Sequence, residues 1–559
     1  MNIQEKKAKN QLSSLLTRYG VRHAVLSPGS RNAPLLVALE NNPKLTTHIV
    51  IDERAAAFIA LGMAEAAKEP IAIVCTSGTA PLNYAPAVAE AYYRHIPLIV
   101  ITADRPMEWI DQDDSQTINQ SGIFSNFIKG SFDIPVDSED NDRQWYVNRT
   151  INDALTLAMT PCAGPVHINI RISEPLFEPG DKAVEANARV IGHVANNDTL
   201  SEADLSELAA KISEHKSVLV LAGFMGYDKA LVQAVSEISQ LPQVVVMHEA
   251  QSNLHSAGRY IANIDATLRC LPDDAPNPTL VITIGGSLTS RMIKTRLRGI
   301  EGLEHWSISH SARAIDCFRR LTMRIASNPA ATLSELSRRV KPCNESAFKS
   351  VWRSASKRAE QLAASYSAEC EWSNFKAIHT LMGMIPAGYN LQLSNGTAVR
   401  YAQLFDYHHF SEIHCNRGVS GIDGCTSTAI GFATLSTKPT LLISGDMSFQ
   451  YDLGAMATTF IQHNFKVAVL NNSGGGIFRF IPATRDLPQL ERCFAGPINL
   501  PLEQLCQAFG FKYYKASSAE EMDKNVPVWL SDNQAPALLE IKTDPQTSAT
   551  TLRNFFNPK

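Results

Sequence analysis

Residues 439–446 (PTLLISGD) and residues 465–476 (FKVAVLNNSGGG) decide the fold class of this 559-residue chain. Each stretch begins with a short apolar run, which is typical of a strand buried in a parallel sheet, and each ends in polar residues or glycine. A segment of helical character, residues 451–463, lies between them. A right-handed crossover would place both strand ends on one edge of the sheet, where such sheets carry their functional residues.

The polar groups at these two strand ends predict a metal site. Asp446 follows the first strand, Asn472 follows the second, and the glycines from Gly474 onward let the backbone approach a ligand. A carboxylate, an amide oxygen and a free backbone carbonyl near Gly474 are the hard donors that Mg²⁺ takes together with phosphate oxygens. The alternative is two unrelated loop caps, because Asp and Asn are common in turns.

The strand–helix alternation continues along the rest of the chain. Apolar runs followed by helical patterns or turns occur at residues 21–26, 48–52, 71–75, 97–102, 217–226, 244–249 and 280–286. The pattern fades near residues 327–345, and two helical stretches at 350–384 lead into the block that holds Asp446. We therefore predict an α/β protein of three domains, each a mostly parallel sheet flanked by helices. The expected domains are residues 1–180, 190–345 and 350–559, with a Pro-, Gly- and Asn-containing linker at 173–200.

Composition excludes several classes of protein. Lys plus Arg is 51 and Asp plus Glu is 55, and the resulting net charge of −4 argues against a nucleic-acid partner. The ten cysteines form no C-x-x-C motif, which disfavours a zinc finger or a redox site and fits a reducing compartment. The apolar runs are far shorter than the roughly 18 residues of a membrane span, and no secretory signal is visible. We expect a cytoplasmic protein.

Two motifs resemble those of thiamine-diphosphate enzymes. Gly445-Asp446 followed by Asn471-Asn472 is similar to their thiamine diphosphate and magnesium motif, although this chain has Met447 where many members have glycine. Glu53, in VIDERAAAFIALGMA (50–64), occupies the place of the glutamate that those enzymes need after an early strand. The alternative for Glu53 is an acid that merely favours a helix N-terminus.

Further motifs resemble a narrower family, the 2-succinyl-5-enolpyruvyl-6-hydroxy-3-cyclohexene-1-carboxylate synthases of menaquinone biosynthesis. They are SPGSRNAPL (27–35), TSGTAPLNYAPAVAEA (76–91), ADRP (103–106), NRGVSGIDG (416–424), GDMSFQYDL (445–453) and NNSGGGIF (471–478). The resemblance covers the first and third domains well and the middle domain poorly. It implies a pyrimidine-binding, a central and a diphosphate-binding domain, in that order. It also implies thiamine diphosphate with Mg²⁺ or Mn²⁺, and a homodimer or homotetramer with shared active sites.

The activity that this resemblance implies is that of a transferase. Such an enzyme decarboxylates 2-oxoglutarate and adds the resulting succinyl carbanion equivalent to isochorismate, with release of CO2. Both substrates are dicarboxylates, and arginine forks bind carboxylates in a bidentate way, so the motif arginines are expected to contact substrate. For any single arginine, a surface ion pair is the alternative.

The resemblance also implies roles for individual residues. Catalytic roles fall to Glu53, which would hydrogen-bond the aminopyrimidine ring nitrogen of the cofactor, and to Gln116. Cofactor contacts are expected from Glu53, Gly445, Asp446, Ser448, Ile422, Asn472 and Gly474, with Asp446, Asn472 and Gly474 as metal ligands. Substrate contacts are expected from Ser30, Arg31, Arg105, Gln116, Arg291, Arg400, Arg417, Ile477 and Phe478. Core packing is the alternative for the three apolar residues, and a surface loop is the alternative for Gln116.

Two positions depart from the family's pattern. Gly396 and Thr397 follow Asn395 where the family often has a serine directly after the asparagine, so that hydroxyl contact is missing or moved to Thr397. Ser290 and Arg291 stand where a Lys or a Lys-Arg pair is usual, and Arg291 could replace the lysine as a carboxylate anchor.

Two rival functions fit parts of this pattern. Another thiamine-diphosphate-dependent 2-oxoacid decarboxylase or synthase would share Glu53 and the Asp446–Asn472 pair but not the arginine set. A non-catalytic module on the same fold would bind no cofactor. A Rossmann dinucleotide site is disfavoured, because no G-x-G-x-x-G follows a strand.

Overall fold

Three parallel β-sheets form the framework of the protein, which confirms the α/β class predicted from the sequence. The computed structural model describes residues 7–138, 140–176, 188–194, 199–256, 258, 260–311, 313–343 and 346–557. Across these ranges no helix is both long enough and apolar enough to cross a membrane.

In the described part of residues 7–176, six parallel strands form the first sheet and five helices accompany them. The strands are β1 (His23–Leu26), β2 (Thr46–Ile49), β3 (Ile71–Cys75), β4 (Leu98–Asp104), β5 (Ser131–Ile134) and β6 (Val166–Arg171). The helices are α1 (Lys7–Arg18), α2 (Ala33–Glu40), α3 (Glu53–Ala67), α4 (Ala80–Arg94) and α5 (Asn141–Met159). The spatial order is β2-β1-β3-β4-β6-β5. Strands β3 and β4 are buried along their whole length, because helices cover both faces of such a sheet.

The middle sheet has five parallel strands. They are β7 (Val218–Ala222), β8 (Val244–His248), β9 (Leu280–Ile284), β10 (Glu304–Ser309) and β11 (Leu321–Ala326), in the order β11-β10-β9-β7-β8. The helices of this region are α6 (Glu202–Glu214), α7 (Lys229–Ile238), α8 (Ile264–Cys270), α9 (Arg291–Arg298), α10 (Pro329–Arg339) and α11 (Ala347–Glu369). The sequence analysis missed β10 and β11. Both mix polar and apolar residues because they lie toward one edge of the sheet and are only partly buried.

The third sheet again has six parallel strands. They are β12 (Asn390–Leu393), β13 (Ile413–Cys415), β14 (Thr440–Gly445), β15 (Lys466–Asn471), β16 (Lys512–Ala516) and β17 (Ala537–Lys542), in the order β13-β12-β14-β15-β17-β16. The helices that precede β15 are α12 (Asn374–Met384), α13 (Ala398–Ala402), α14 (Cys425–Leu435) and α15 (Asp446–Tyr451). The later ones are α16 (Gly476–Phe480), α17 (Pro482–Arg485), α18 (Leu502–Phe509), α19 (Ala519–Ser531) and α20 (Pro545–Phe556).

The chain divides into two compact units. The first unit comprises residues 1–195, 418–437 and 451–462, and the second comprises residues 196–417, 438–450 and 463–559. The first sheet lies in the first unit, and the middle and third sheets lie in the second. The three domain boundaries drawn from the sequence stay a prediction. Residues 177–187 and 195–198 of the expected linker lie outside the described residues.

Candidate active site

Strands β14 and β15 are neighbours in the third sheet and bring Asp446 next to the loop that follows β15. The Asp446 carboxylate is buried, with Oδ2 accepting the Gly474 amide at 2.8 Å and Oδ1 accepting the Met447 amide at 2.7 Å. Asn472, in the same loop, is also buried. The structure thus joins the two strand ends that the sequence predicted to meet.

Burial is the largest influence on the pKa of Asp446. It raises the pKa of this carboxyl to about 6, even though the amides of Gly474 and Met447 favour the charged form. Among the described residues, no cationic side chain forms an ion pair with Asp446 within 4.0 Å. A buried carboxylate of this kind is a suitable ligand for a bound cation.

Gly474 occupies a position that only glycine fills. Its φ of +126° is rarely adopted by other residues, and a Cβ atom would collide with the carbonyl oxygen of Ala495. The next amide, of Gly475, donates to that same carbonyl at 2.7 Å. The loop is therefore held close to Asp446, and the space beside Gly474 is taken by the Ala495 carbonyl rather than by a side chain.

The donor set at this edge fits magnesium or manganese. Asp446, Asn472 and a Gly474 carbonyl provide three oxygens, and phosphate oxygens could complete an octahedron. Among the described residues, no group of three His, Cys, Asp or Glu side chains could hold a metal by itself. Gly445 is the last residue of β14, and Ser448 is buried in the first turn of α15, so both lie in the segment that carries Asp446.

Arg479 connects the segment that carries Ile477 and Phe478 to Glu491. Its guanidinium donates twice to the Glu491 carboxylate, at 3.0 Å and 2.7 Å, and its side chain is buried. Ile477 and Phe478 are half-buried in α16, and the Phe478 ring lies 6.0 Å from that of Phe494. The two apolar residues thus lie just past the metal-type donors on a fixed short helix.

In the first unit, Glu53 is the first residue of α3 and is half-buried. The preceding Asp52 caps the helix by accepting the amides of Arg54 and Ala55, and Arg54 donates to the Tyr451 carbonyl at 2.8 Å. These contacts fix the direction in which the helix starts, and hence the place of the Glu53 carboxylate.

Ile422 belongs to the same unit and precedes the helix that packs on α3. It is half-buried, and Gly424, two residues later, lies so close to the Phe58 ring of α3 that a Cβ would clash with it. Helices α3 and α14 also approach closely through Gly62 and Gly431. Close packing through small residues therefore sets Ile422 relative to the helix that begins with Glu53.

Two buried groups near Glu53 were not found from the sequence. Burial and then the charge of Glu53 raise the pKa of the Cys75 thiol well above its usual range. Burial also raises the pKa of Tyr84, whose hydroxyl donates to Ser27 Oγ at 3.3 Å. Both groups therefore stay neutral beside the Glu53 carboxylate. No sequence motif marks them, since each reads as an ordinary core residue.

The predicted substrate residues of the first sheet lie in loops after its strands. Ser30 is half-buried, whereas Arg31 is buried and donates to the Ile172 carbonyl and to Glu174, both at 3.1 Å. Internal partners therefore already occupy two of the Arg31 donors.

Arg105 and Gln116 lie in one loop of the first unit. Arg105 donates to the Ser115 carbonyl at 2.9 Å and 2.7 Å and pairs with Asp114 at 2.7 Å, so it holds the residue next to Gln116. Gln116 itself is exposed, has a φ of +58°, and lies against Gly78 just past β3. The structure therefore brings Arg105 and Gln116 together at the carboxyl edge of the first sheet.

In the second unit the structure groups Arg400 and Arg417. Arg417 is buried and donates to Asn395 Oδ1 at 2.9 Å, and Arg400 donates to the Thr289 carbonyl at 3.4 Å. Burial and the charge of Arg417 lower the pKa of Arg400. The Nε atoms of both arginines are buried and have no hydrogen-bond partner among the described residues. These donors suit a carboxylate ligand.

The two departures from the family pattern have different structural settings. Gly396 has a φ of +97°, so a serine side chain there would be strained, and Thr397 precedes α13 as its N-terminal cap position. Arg291 is exposed at the start of α9, and its charge lowers the pKa of Arg400. Arg291 therefore lies within electrostatic range of Arg400.

Comparison with known proteins agrees with this architecture. Residues 6–123 match the N-terminal TPP binding domain of thiamine pyrophosphate enzymes, and residues 395–541 match their C-terminal TPP binding domain. A protein from Porphyromonas gingivalis, named 2-succinyl-5-enolpyruvyl-6-hydroxy-3-cyclohexene-1-carboxylate synthase, is 39% identical over 99% of this chain and 97% of its own length. The chain belongs to this synthase family. Relatives of the same name from Flavobacterium psychrophilum (39% identical over 96% of each chain) and Bacteroides fragilis (34% over 99% of each) agree.

Membership of the synthase family confirms the resemblance, the enzyme class and the thiamine diphosphate fold that the motifs indicated. The roles assigned to individual residues stay predictions. A buried carboxylate that was not predicted from the sequence, Glu249, also interacts electrostatically with Arg400 and Arg417. Burial raises its pKa, while hydrogen bonds from Ser290 and Thr289 lower it. Its place directly after β8 was a signal that could have marked it, whereas its partners Thr289 and Ser290 lie about forty residues further along the chain and leave no local motif.

Proposed function

We propose that this protein decarboxylates 2-oxoglutarate and transfers the succinyl group to isochorismate, giving 2-succinyl-5-enolpyruvyl-6-hydroxy-3-cyclohexene-1-carboxylate and CO2. The observation that carries the proposal is the pairing, in one unit, of the Asp446–Gly474 oxygen edge with the buried Arg400–Arg417 group. The first suits a metal-bound diphosphate, and the second suits a dicarboxylate. The family's name supports the same reaction.

The cofactors of this proposal are thiamine diphosphate and Mg²⁺, or Mn²⁺ in its place. When bound, thiamine diphosphate supplies the electron sink that 2-oxoacid decarboxylation requires. Asp446, Asn472 and the Gly474 carbonyl would hold the metal. Gly445 and Ser448 would contact the cofactor from the same segment.

Cofactor roles are also proposed for two residues of the first unit. Glu53 would hydrogen-bond the aminopyrimidine ring nitrogen and hold or release a proton there, which makes it a catalytic residue together with Gln116. Ile422 would support the cofactor with an apolar contact. The half-buried setting of Glu53 at a fixed helix start supports its role, because a proton-transfer group must be held in place.

Substrate binding is proposed for the remaining residues. Arg400 and Arg417 carry the strongest support, since each is largely buried and keeps a buried Nε without a partner in the described residues. Arg291, Arg105, Arg31 and Ser30 would contribute further donors to the carboxylates of the two substrates. Ile477 and Phe478 would line the isochorismate pocket, and Gln116 would lie near the reacting carbon.

The proposed reaction is tested by following CO2 release from 2-oxoglutarate with and without isochorismate. We expect release that depends on both thiamine diphosphate and Mg²⁺ and that rises when isochorismate is added. Preferential turnover of pyruvate would favour another decarboxylase or synthase of the superfamily. Failure to bind thiamine diphosphate in the presence of Mg²⁺ would favour a non-catalytic module on the same fold.

We also propose a homodimer or homotetramer in which Glu53 of one subunit serves the cofactor held by Asp446 of another. The family resemblance supports this arrangement. Two inactive variants, Glu53→Gln and Asp446→Ala, should then restore activity when mixed, to about a quarter of the wild-type level, because half the dimers are mixed and each has one intact site. Mixtures that stay inactive would contradict shared sites. A cytoplasmic location stays a prediction.

A further inference from the structure

Glu249 is a fully buried carboxylate directly after β8 in the middle sheet. Its Oε1 accepts the amides of Thr289 at 2.6 Å and Ser290 at 2.8 Å. Its Oε2 accepts the Thr289 amide at 2.8 Å and the Gln251 side-chain amide at 2.7 Å. Every one of these partners is a neutral donor, and two of them are backbone amides in the turn that leads into α9.

Joining two segments through a buried carboxylate costs desolvation free energy. A carboxylate loses its hydration on burial, and hydrogen bonds only partly compensate, so well-packed apolar residues usually serve stability as well or better. Burial accordingly raises the pKa of Glu249, and the amides of Ser290 and Thr289 oppose that rise. The arrangement is therefore better explained by a demand for fixed geometry at residues 287–291, which we call the anchor turn.

The other side of the anchor turn contacts the two buried arginines. Ser287 Oγ donates to the Arg417 carbonyl at 3.0 Å, and Arg400 donates to the Thr289 carbonyl at 3.4 Å. The Thr289 carbonyl thus accepts a hydrogen bond from Arg400, and the Thr289 amide donates one to Glu249. One short turn links the carboxylate on the middle sheet to both arginines of the third sheet, all within the second unit.

We propose that Glu249 is a positioning residue that holds the anchor turn where it orients Arg400 and Arg417 for the substrate carboxylate. The inference rests on the proposed function in that these arginines bind substrate. None of the hydrogen bonds of Glu249 described above goes to Arg400 or Arg417. The charge of Arg417 opposes the burial that raises the pKa of Glu249, and the charge of Glu249 opposes the burial that lowers the pKa of Arg400, whereas the positioning effect of Glu249 passes through the turn. A role as a simple counter-ion makes the opposite prediction, because removing a negative charge would strengthen the attraction of the arginines for a dicarboxylate.

The test compares Glu249→Gln with Asp228→Asn in the full chain loaded with thiamine diphosphate and Mg²⁺. Asp228 is the matched control, because it also accepts two backbone amides at a helix start, those of Ala230 at 2.8 Å and Leu231 at 3.2 Å, but it is exposed. In Glu249→Gln, the NH2 group of the glutamine is a donor and would face backbone amides that are also donors, so at least one of these hydrogen bonds would be lost. We expect the Michaelis constant for isochorismate or for 2-oxoglutarate to rise about tenfold, with kcat changed less than about threefold.

Amide hydrogen exchange of the peptide that covers the anchor turn gives a readout independent of turnover. We expect the Thr289 and Ser290 amides to exchange at least about tenfold faster in Glu249→Gln and at the wild-type rate in Asp228→Asn. Unchanged exchange, or unchanged or lowered Michaelis constants for both substrates, would overturn the proposal. A wild-type protein that turns over neither substrate would instead refute the proposed function, while faster exchange would still support the hold of Glu249 on the turn.

Discussion

The first and third sheets have the same strand order, and each has a buried aspartate at its carboxyl edge. The aspartate of the first sheet forms an ion pair with an arginine, whereas that of the third sheet accepts, within the described residues, only backbone amides. Counted within each sheet, both orders run 2-1-3-4-6-5. In the first sheet, Asp104 ends β4 and pairs with Arg171 at 3.2 Å, and Asn169 also donates to it at 2.9 Å. In the third sheet, Asp446 follows β14 and receives backbone amides, with no cationic side chain within 4.0 Å among the described residues.

This difference shows how one topology can serve two purposes. An acid that already has an internal cation is a structural part of the sheet, because its charge is satisfied. The negative charge of an acid that accepts only amide donors is not neutralised within the protein, and a bound metal could neutralise it. The third sheet therefore offers the edge at which we propose that a metal binds. The first sheet instead contributes Glu53, at the start of a helix rather than at a strand end.

The largest expected effect is on the Glu53 side of this comparison. Glu53→Gln removes the group proposed to exchange a proton with the cofactor while keeping its size, so kcat should fall about 1,000-fold. Binding of thiamine diphosphate with Mg²⁺, measured by calorimetry, should change little. A variant that keeps wild-type turnover would remove Glu53 from its proposed role.

The second effect is on the metal edge. Asp446→Asn keeps the shape of the side chain but removes the charge opposite the metal, so the Kd for thiamine diphosphate in the presence of Mg²⁺ should rise about 100-fold. The matched variant is Asp104→Asn, which removes a buried charge from the end of β4, the fourth strand of the first sheet, whereas Asp446 follows the third strand of its own sheet. It should lower thermal stability, since Arg171 loses its buried partner and keeps only the ion pair with Asp133, without changing the metal dependence. An equal rise of the Kd for thiamine diphosphate in both variants would contradict the proposed difference between the two sheets.

A smaller effect is expected from the arginines of the two units. Arg417→Lys keeps the charge but loses the fork geometry, so the Michaelis constant for one dicarboxylate substrate should rise about tenfold. Arg171→Lys, at the internal ion pair of the first sheet, should leave both Michaelis constants within about twofold and reduce stability instead. Steady-state kinetics together with melting temperatures would separate the two roles, and matching changes in the Michaelis constants would contradict them.

The smallest effect concerns the pH dependence of the first sheet. Burial lowers the pKa of His167 to about 4, whereas an unfolded histidine has a pKa near 6.5. Between these values the unfolded chain binds a proton that the folded chain does not, so stability falls as pH drops from 6.5 to 4, by at most about 1.4 kcal/mol per pH unit. The urea midpoint of His167→Asn should therefore depend less on pH than that of the wild type. An identical pH dependence would show that His167 does not contribute.

Much of the fold was predictable because buried parallel strands leave continuous apolar runs in the sequence, as β3, β4, β14 and β15 do. Strands β10 and β11 were missed because their partial burial leaves a mixed pattern. Strands β5, β6, β16 and β17 were not named from the sequence either, although β6 and β17 are buried almost throughout. The helix expected at residues 451–463 was misplaced. It begins earlier, at Asp446, and a 3-10 turn follows at Leu453–Ala457 because Asp452 turns to accept the amide and hydroxyl of Ser427.

The candidate site was predictable only where its residues follow a strand or a motif. Asp446, Asn472 and Gly474 lie at two strand ends, so local sequence marks them. Glu249 also follows a strand, β8, so the sequence could have marked its position, but no local pattern shows which groups Glu249 and Asn395 contact. Their partners are set by contacts between distant parts of the chain, such as Glu249 with Thr289 and Asn395 with Arg417. Such networks depend on tertiary packing, which the sequence pattern of a single element does not encode.

The central claim is that the third sheet, and not the first, binds the divalent metal. Anomalous diffraction from crystals grown with Mn²⁺ and thiamine diphosphate tests it most directly. The account predicts an Mn²⁺ peak about 2.2 Å from oxygens of Asp446, Asn472 and the Gly474 carbonyl, and none at Asp104. A peak at the edge of the first sheet, or one that leaves Asp446 without a metal contact, would contradict it.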